Sequence, residues 1–475
     1  MRYLSNETLI RRTLGTLGCG LLLSLVGCGS DNADEKPAKC DFEAQTGCKD
    51  GKVCEMVAGD AGATGCFAPV VVEGHVVRAD DATQGIEGAR VVGRDENGAT
   101  VSFRIAVSGA DGAYSLRVPT PRQADGTPAV PSLLLRADAD GFATFPSGLR
   151  VAVPVDVSAP EKTSTGYRVV NDSTTIALDA LSDTTGLGSV SGTVLAKGAA
   201  GTLVVAGSAS GVADSDGTYV IYNVPVGDQE VRGYAAGLSL EPATATVASG
   251  AETKGVDLAV SDAALGTVNG SVSFVNASAK STSVVLVVAS TFNEALKRGE
   301  VPRGLRAFPV TGQYSFSDVP AGDYVVLAAF ENDDLVRDPD EAIGGTAIQR
   351  VTVAGAGVDV AGFKITGALA VVAPGAEGPE AITGPARFEW ADDSSEDGYE
   401  VTVLDTFGNE VWKDADVPRV TGSSNVTLDY AGPDLTPGYY QFRAVSWRDA
   451  SGKKGSAART YISATEDLKG VFIVP

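Results

Sequence analysis

The chain has 475 residues, enough for about three or four domains of ordinary size. Hydrophobic residues make up 44% and charged residues 20%, so packed cores are within reach, and 57 glycines with frequent Val and Thr favour short strands and tight turns over helices. The formal net charge of −23 gives a surface that repels nucleic acid and anionic lipid, so neither is expected as a partner.

The N-terminus reads as a targeting segment. Arg2, Arg11 and Arg12 form a positive start, and residues 13–26 follow as an uncharged, mostly apolar run. That run has signal-peptide length and is too short to span a bilayer comfortably. It ends in Leu25-Val26-Gly27-Cys28, which resembles the bacterial lipobox. The resemblance implies cleavage before Cys28 and lipid on its thiol; Cys19, in the middle of the apolar run, is the poorer candidate. No later stretch is long and apolar enough to cross a bilayer, so lipid is the expected membrane attachment. Gly29 stands where an aspartate commonly retains lipoproteins at the inner membrane, and its presence points to the outer membrane. Residues 1–27 are thus the signal peptide and 28–39 a polar tether.

Cys40, Cys48, Cys54 and Cys66 lie within residues 40–69, and no cysteine follows. An even number of cysteines in an oxidising compartment predicts two disulfides, with three pairings open. Their spacing fits poorly with zinc. So short a segment buries little core and would depend on its crosslinks for order.

The main signal beyond is an internal repeat. Val72-Glu73-Gly74-His75-Val76, Val190-Ser191-Gly192-Thr193-Val194 and Val268-Asn269-Gly270-Ser271-Val272 each open a copy. Each copy then reaches Gly-x-Tyr at Tyr114, Tyr219 and Tyr314, with an apolar residue two positions on at Leu116, Ile221 and Phe316. That period of two places tyrosine and partner on one face of a strand, which a proline then ends at Pro119, Pro225 and Pro320. Asp111-Gly112 and Asp216-Gly217 are strong turn dipeptides and predict a hairpin in each block; Thr311-Gly312 is a weaker version. The insertion 293–303 in the third copy is expected to form one short helix.

These motifs resemble the carboxypeptidase regulatory-like domain, a transthyretin-like β-sandwich. Copy one also carries Ile86-Glu87-Gly88-Ala89-Arg90-Val91, which matches the family's second strand; copies two and three depart from it. The resemblance implies sandwiches at 70–184, 185–262 and, in divergent form, 263–366. Residues 367–475 differ. Phe388-Glu389-Trp390 and Leu435-Thr436-Pro437-Gly438-Tyr439-Tyr440 resemble a fibronectin type III domain, with the Leu-to-Tyr interval one residue shorter than usual. The expected fold class is therefore all-β: tandem Ig-like or transthyretin-like sandwiches after a signal peptide and a disulfide-rich segment.

Little in the sequence points to catalysis. The lone histidine, His75, sits between Gly74 and Val76 on a strand, without a nucleophile elbow elsewhere to complete a triad. One histidine cannot build the zinc centre of the peptidases that carry regulatory-like domains, so their activity does not transfer. The chain is expected not to be an enzyme and to need no cofactor. The minor metal expectation is structural calcium on an acidic loop at Asp333, Asp334, Asp338 and Asp340, flanked by Glu331 and Glu341. At Asp214-Ser215-Asp216-Gly217 an EF-hand reading fails because Val212 occupies a ligand position. All three tryptophans lie in the last domain: Trp390 is assigned to the core, and Trp412 and Trp447 are candidate ligand-binding aromatics. The resulting expectation is a non-catalytic, lipid-anchored envelope protein that binds, adheres or spaces, with an envelope protein or a glycan as partner. The alternative is a carbohydrate-binding lipoprotein that uses exposed aromatics.

Overall fold

The computed structural model describes residues 40–475 except 43–44, 60–61, 95–103, 124, 129–132, 147–148, 150–154, 156–159, 276, 332, 340–347, 394 and 450–457. Cys28, the signal segment and the tether lie outside the described residues. The described chain is all-β, with two short 3-10 turns, Asp172–Thr174 and Ala289–Thr291, and no α-helix. A hairpin of Val53–Met56 against Thr64–Phe67 precedes four two-sheet sandwiches.

The first three sandwiches share one topology, which explains the repeat. The opening strands Val70–Arg78, Leu187–Leu195 and Gly266–Phe274 sit centrally in their sheets. Each runs antiparallel to its Gly-x-Tyr strand, Ala113–Val118, Thr218–Pro225 or Gln313–Val319. On its other side each runs parallel to the late strands of its own copy. The remaining strands form the facing sheet, for instance Ala209–Val212, Leu203–Ala206, Gly227–Tyr234 and Ala243–Val247 in sandwich 2.

The expected hairpins are not formed. The strand before each turn (Ala106–Val107, Ala209–Val212 or Arg306–Val310) pairs within the facing sheet, so the turn carries the chain from one sheet to the other. The dipeptide fixes the local bend, with φ +80° at Gly112 and +86° at Gly217, but it does not choose the pairing partner. That choice follows from the tyrosine. Tyr114, Tyr219 and Tyr314 lie directly opposite Gly74, Gly192 and Gly270 of the opening strands. A Cβ on Gly74 would stand 1.9 Å from the Thr174 carbonyl oxygen and 2.9 Å from the Tyr114 hydroxyl. The bare glycine lets the ring cross the strand, and Tyr114 Oη donates to the Thr174 carbonyl at 2.7 Å. Tyr219 makes the same bond to the Val256 carbonyl.

The insertion 293–303 is not a helix. It is a turn closed by a bridge between Asn293 and Arg298, with Lys297 left-handed at φ 56°. Side chains accept backbone donors here: Asn293 Oδ1 from Leu296 N and Thr291 Oγ1 from Glu300 N. Such local bonds offer the backbone an alternative to the helical ladder.

Sandwich 4 pairs a three-stranded sheet, Val371–Ala373, Arg387–Ala391 and Asn425–Asp429, with a larger one centred on Gly438–Asp449 and Gly398–Asp405. Its core holds Trp390 edge-on to Tyr399 at 5.4 Å and Phe388 stacked on Phe442 at 4.7 Å. Tyr440 Oη donates to the Thr436 carbonyl at 3.0 Å and ties the entering strand to the turn before it.

The N-terminal hairpin is fused to sandwich 1. Glu55 and Arg122 are both fully buried there. Glu55 Oε2 accepts from Thr120 N at 3.0 Å, and Arg122 Nη2 donates to the Ala68 carbonyl at 2.6 Å. Burial pushes the Glu55 carboxyl up to about 8, because Arg122 approaches only to 3.9 Å and does not offset the lost hydration. The folded state therefore holds a proton that the unfolded state releases near 4.5, so stability falls as pH rises from there through 8. Between pH 6 and pH 8 the loss is on the order of 2 kcal/mol. Thermal melts of wild type and Glu55→Gln across this range should diverge, the variant losing this slope. Parallel curves would show that Glu55 is already ionised at pH 6.

Candidate functional site

The disulfides are Cys40–Cys54 and Cys48–Cys66, with Cα–Cα separations of 5.7 and 5.5 Å. Thr64 Oγ1 donates to the Cys40 carbonyl, and the Gln45 side-chain amide both donates to and accepts from Cys54, so the pairs sit inside a hydrogen-bonded turn. His75 is exposed on its strand, opposite Ala113.

Among the described residues, the carboxylates of the acidic loop do not converge on a cation site. Glu331 pairs with Arg306 at 2.8 Å, Asp338 with Lys364 at 2.8 Å, and Asp334 faces Lys469 at 3.9 Å. Asp333 accepts from Thr282 Oγ1 at 3.0 Å, and burial lifts its carboxyl to about 6. Asp340 and Glu341 lie outside the described residues. Among the described residues, the only trio of metal-capable side chains whose ligand atoms lie within 4.8 Å of one another is Cys40, Cys48 and Cys54, all disulfide-bonded. Basic side chains from elsewhere in the fold, Arg306, Lys364 and Lys469, take up much of this acidic charge, which a run of carboxylates in sequence cannot reveal.

Trp412 and Trp447 do not form a shared platform. Trp412 is opposite Val403, on the core-facing side of its sheet, and packs edge-on against Tyr430 at 5.1 Å. Trp447 is opposite Gly398, five residues away along the same central strand and so on the other face. Its ring lies across that glycine, whose Cβ would come within 2.6 Å, and the Arg459 guanidinium covers it at 3.9 Å from the centroid.

The structure concentrates its polar chemistry where the sandwiches meet. Arg136, in sandwich 1, is fully buried and forks onto Asp138 with two bonds of 2.8 Å. It also donates to Ser210 Oγ of sandwich 2 at 3.1 Å and forms a 2.6 Å ion pair with Glu300 of sandwich 3. Arg94 faces the other Glu300 oxygen at 3.6 Å. Burial alone would raise the Glu300 carboxyl, but Arg136 and Arg94 outweigh it and hold its pKa below the usual value.

Glu300 belongs to the insertion that breaks the third repeat. The same segment reaches the other modules. Arg443 of sandwich 4 donates to the carbonyls of Ala295 and Leu296 at 2.6 and 3.0 Å. Leu296 joins Leu149, Leu404 and Val471 in a small apolar cluster. Arg303 donates to the Gly198 carbonyl of sandwich 2 at 3.0 Å. Sequence reading missed Glu300, Arg136 and Arg94 because charged residues in strands and loops normally face water. The one available signal was Arg136-Ala137-Asp138 directly after the apolar run Leu133-Leu134-Leu135.

Beside this junction, a cleft of about 530 Å³ separates the outer sheet face of sandwich 2 from one end of sandwich 3. Gln229, Glu230 and Arg232 line one wall, and Ser290, Asp323 and Thr352 the other. Tyr234 closes its base, edge-on to Tyr324 at 5.9 Å.

No protein-family model matches the chain, and no curated protein matches it. Among solved structures it is similar to the TIE protein of Bacillus anthracis, at 12% identity and a TM-score of 0.15 over 88% of this chain and 72% of that one. It is also similar to a minor pilin of Streptococcus agalactiae, at 13% identity and a TM-score of 0.17 over 35% and 71%. Two B repeats of the collagen-binding protein of Staphylococcus aureus match at 11% identity and a TM-score of 0.16 over 83% and 99%. Similarity at this level says nothing about what this chain binds.

Proposed function

We propose that the chain is a non-catalytic protein of the bacterial cell envelope, held by lipid on Cys28, whose three regulatory-like sandwiches and one fibronectin-like sandwich act together as a binding and structural module. The observation that carries this reading is the junction itself. Buried ion pairs and carbonyl contacts from one insertion join sandwich 3 to the other three, an investment in relative placement rather than in a reactive centre. The two disulfides suit an exported protein. Feeding cells a clickable fatty acid should tag the wild type, and Cys28→Ser should lose the tag and become soluble. A tag that survives in Cys28→Ser and disappears in Cys19→Ser would move the anchor. Peptidase, esterase or glycosidase turnover abolished by one carboxylate substitution would overturn the non-catalytic reading.

A second reading, carbohydrate binding, is favoured by the cleft between sandwiches 2 and 3 rather than by Trp412 and Trp447.

A further inference from the structure

We propose that the cleft between sandwiches 2 and 3 binds a neutral oligosaccharide. This deepens the carbohydrate-binding reading and rests on the proposal that the protein is a binding module. Ligand sites occur preferentially at domain junctions, in clefts of roughly 300–1,000 Å³, and this cleft has that place and size. Its apolar lining includes the partly exposed Ala289 and Ala321, set over the buried Val205, Val288 and Val353, while its walls carry polar groups. A sugar ring presents the matching surface, an apolar face bounded by hydroxyls that each donate and accept.

The wall groups are already oriented. Arg232 forks onto Glu230, and Thr352 Oγ1 donates to Asp323 at 2.6 Å. Each carboxylate keeps lone pairs for a further donor, and the guanidinium has five N–H groups to share. Neighbouring sugar hydroxyls can therefore be met from both walls without breaking these pairs. The charge balance, one arginine against two carboxylates, works against a polyanion.

The cleft is also preformed. A Cβ on Gly322 would stand 2.8 Å from Tyr234 Cε1, so the tyrosine ring rests directly on backbone, and little ordering remains for the ligand to impose. Both walls belong to modules joined directly through Arg303, whose guanidinium donates to the Gly198 carbonyl and whose own carbonyl accepts from Ala236 N at 2.9 Å.

The test uses the full mature chain carrying Cys28→Ser, titrated by calorimetry with maltotriose, cellotriose and chitotriose as neutral probes and heparin as an anionic one. At least one neutral probe should bind saturably. Arg232→Met and Asp323→Asn should each weaken it by about tenfold or more while the melting temperature holds. Trp447→Ala should leave binding unchanged. Saturable heparin binding alone, or no neutral binding up to about 10 mM, would overturn the proposal. So would binding lost in Trp447→Ala and kept in both cleft variants, although that result would leave carbohydrate binding standing at sandwich 4. In every case the lipid-anchored envelope reading stands or falls separately, on the Cys28 labelling.

Discussion

Replacing Trp390 with alanine should cost about 3–5 kcal/mol, the range for losing a large aromatic from a packed core. The ring is fully buried, edge-on to Tyr399 and 6.3 Å from Phe442, so its removal empties the space between the two sheets of sandwich 4. A domain this size commonly has only about 5–15 kcal/mol in total, so in the full-length protein sandwich 4 should melt well before the rest and become sensitive to protease. Trp447→Ala should cost only about 1 kcal/mol. It gives up a partly exposed stack with Arg459 and leaves the core untouched. Equal losses in calorimetric melts of the two variants would mean that sandwich 4 draws its stability from the outer sheet face as much as from its core.

Glu300→Ala should be comparably damaging, at about 3–5 kcal/mol, because it leaves Arg94 buried without its ion-pair partner and Arg136 with Asp138 alone to balance a junction of two arginines. The comparison is Arg350→Ala, which breaks an exposed pair with Glu294 and should cost under about 1 kcal/mol. The Glu300 effect should also persist in high salt, which screens exposed pairs far more than buried ones. Small-angle scattering should show the variant more extended, as sandwich 1 loses its contact with sandwich 3. A Glu300→Ala melt no worse than Arg350→Ala, with unchanged scattering, would show that the junction does not hold the modules together.

These two residues mark what the sequence discloses. Trp390 was legible because a period-two pattern beside a large aromatic has one sensible place in a sandwich. The Gly-x-Tyr strands were legible for the same reason, and Tyr114, Leu116, Tyr219 and Ile221 are buried as the pattern requires. The hairpins were misread because Asp-Gly encodes a bend, whereas pairing is decided by glycines well upstream, Gly74 for Tyr114 and Gly192 for Tyr219. Glu300 was illegible because its burial comes from a module more than 150 residues away, and no local periodicity carries that information. Trp412 and Trp447 looked equivalent because an irregular ladder separates them, and register shifts at Tyr399/Val401 and Val403/Leu404 conceal which face each takes.

The glycine–tyrosine crossings have a consequence for how the three copies can diverge. In copies one and two the space above the glycine is closed by backbone, the carbonyl of Thr174 or Val256 at 1.9 Å from a would-be Cβ. Losing the tyrosine there would free nothing: Gly74 and Gly192 are fixed whatever stands opposite. In copy three the obstruction above Gly270 is the Tyr314 side chain itself, at 2.2 Å, and its hydroxyl is buried without a hydrogen-bond partner. Only there does a substitution at the tyrosine open a route to a substitution at the glycine. The third copy can therefore drift in paired steps that the first two forbid, and in a set of relatives it should be the one whose motif erodes first.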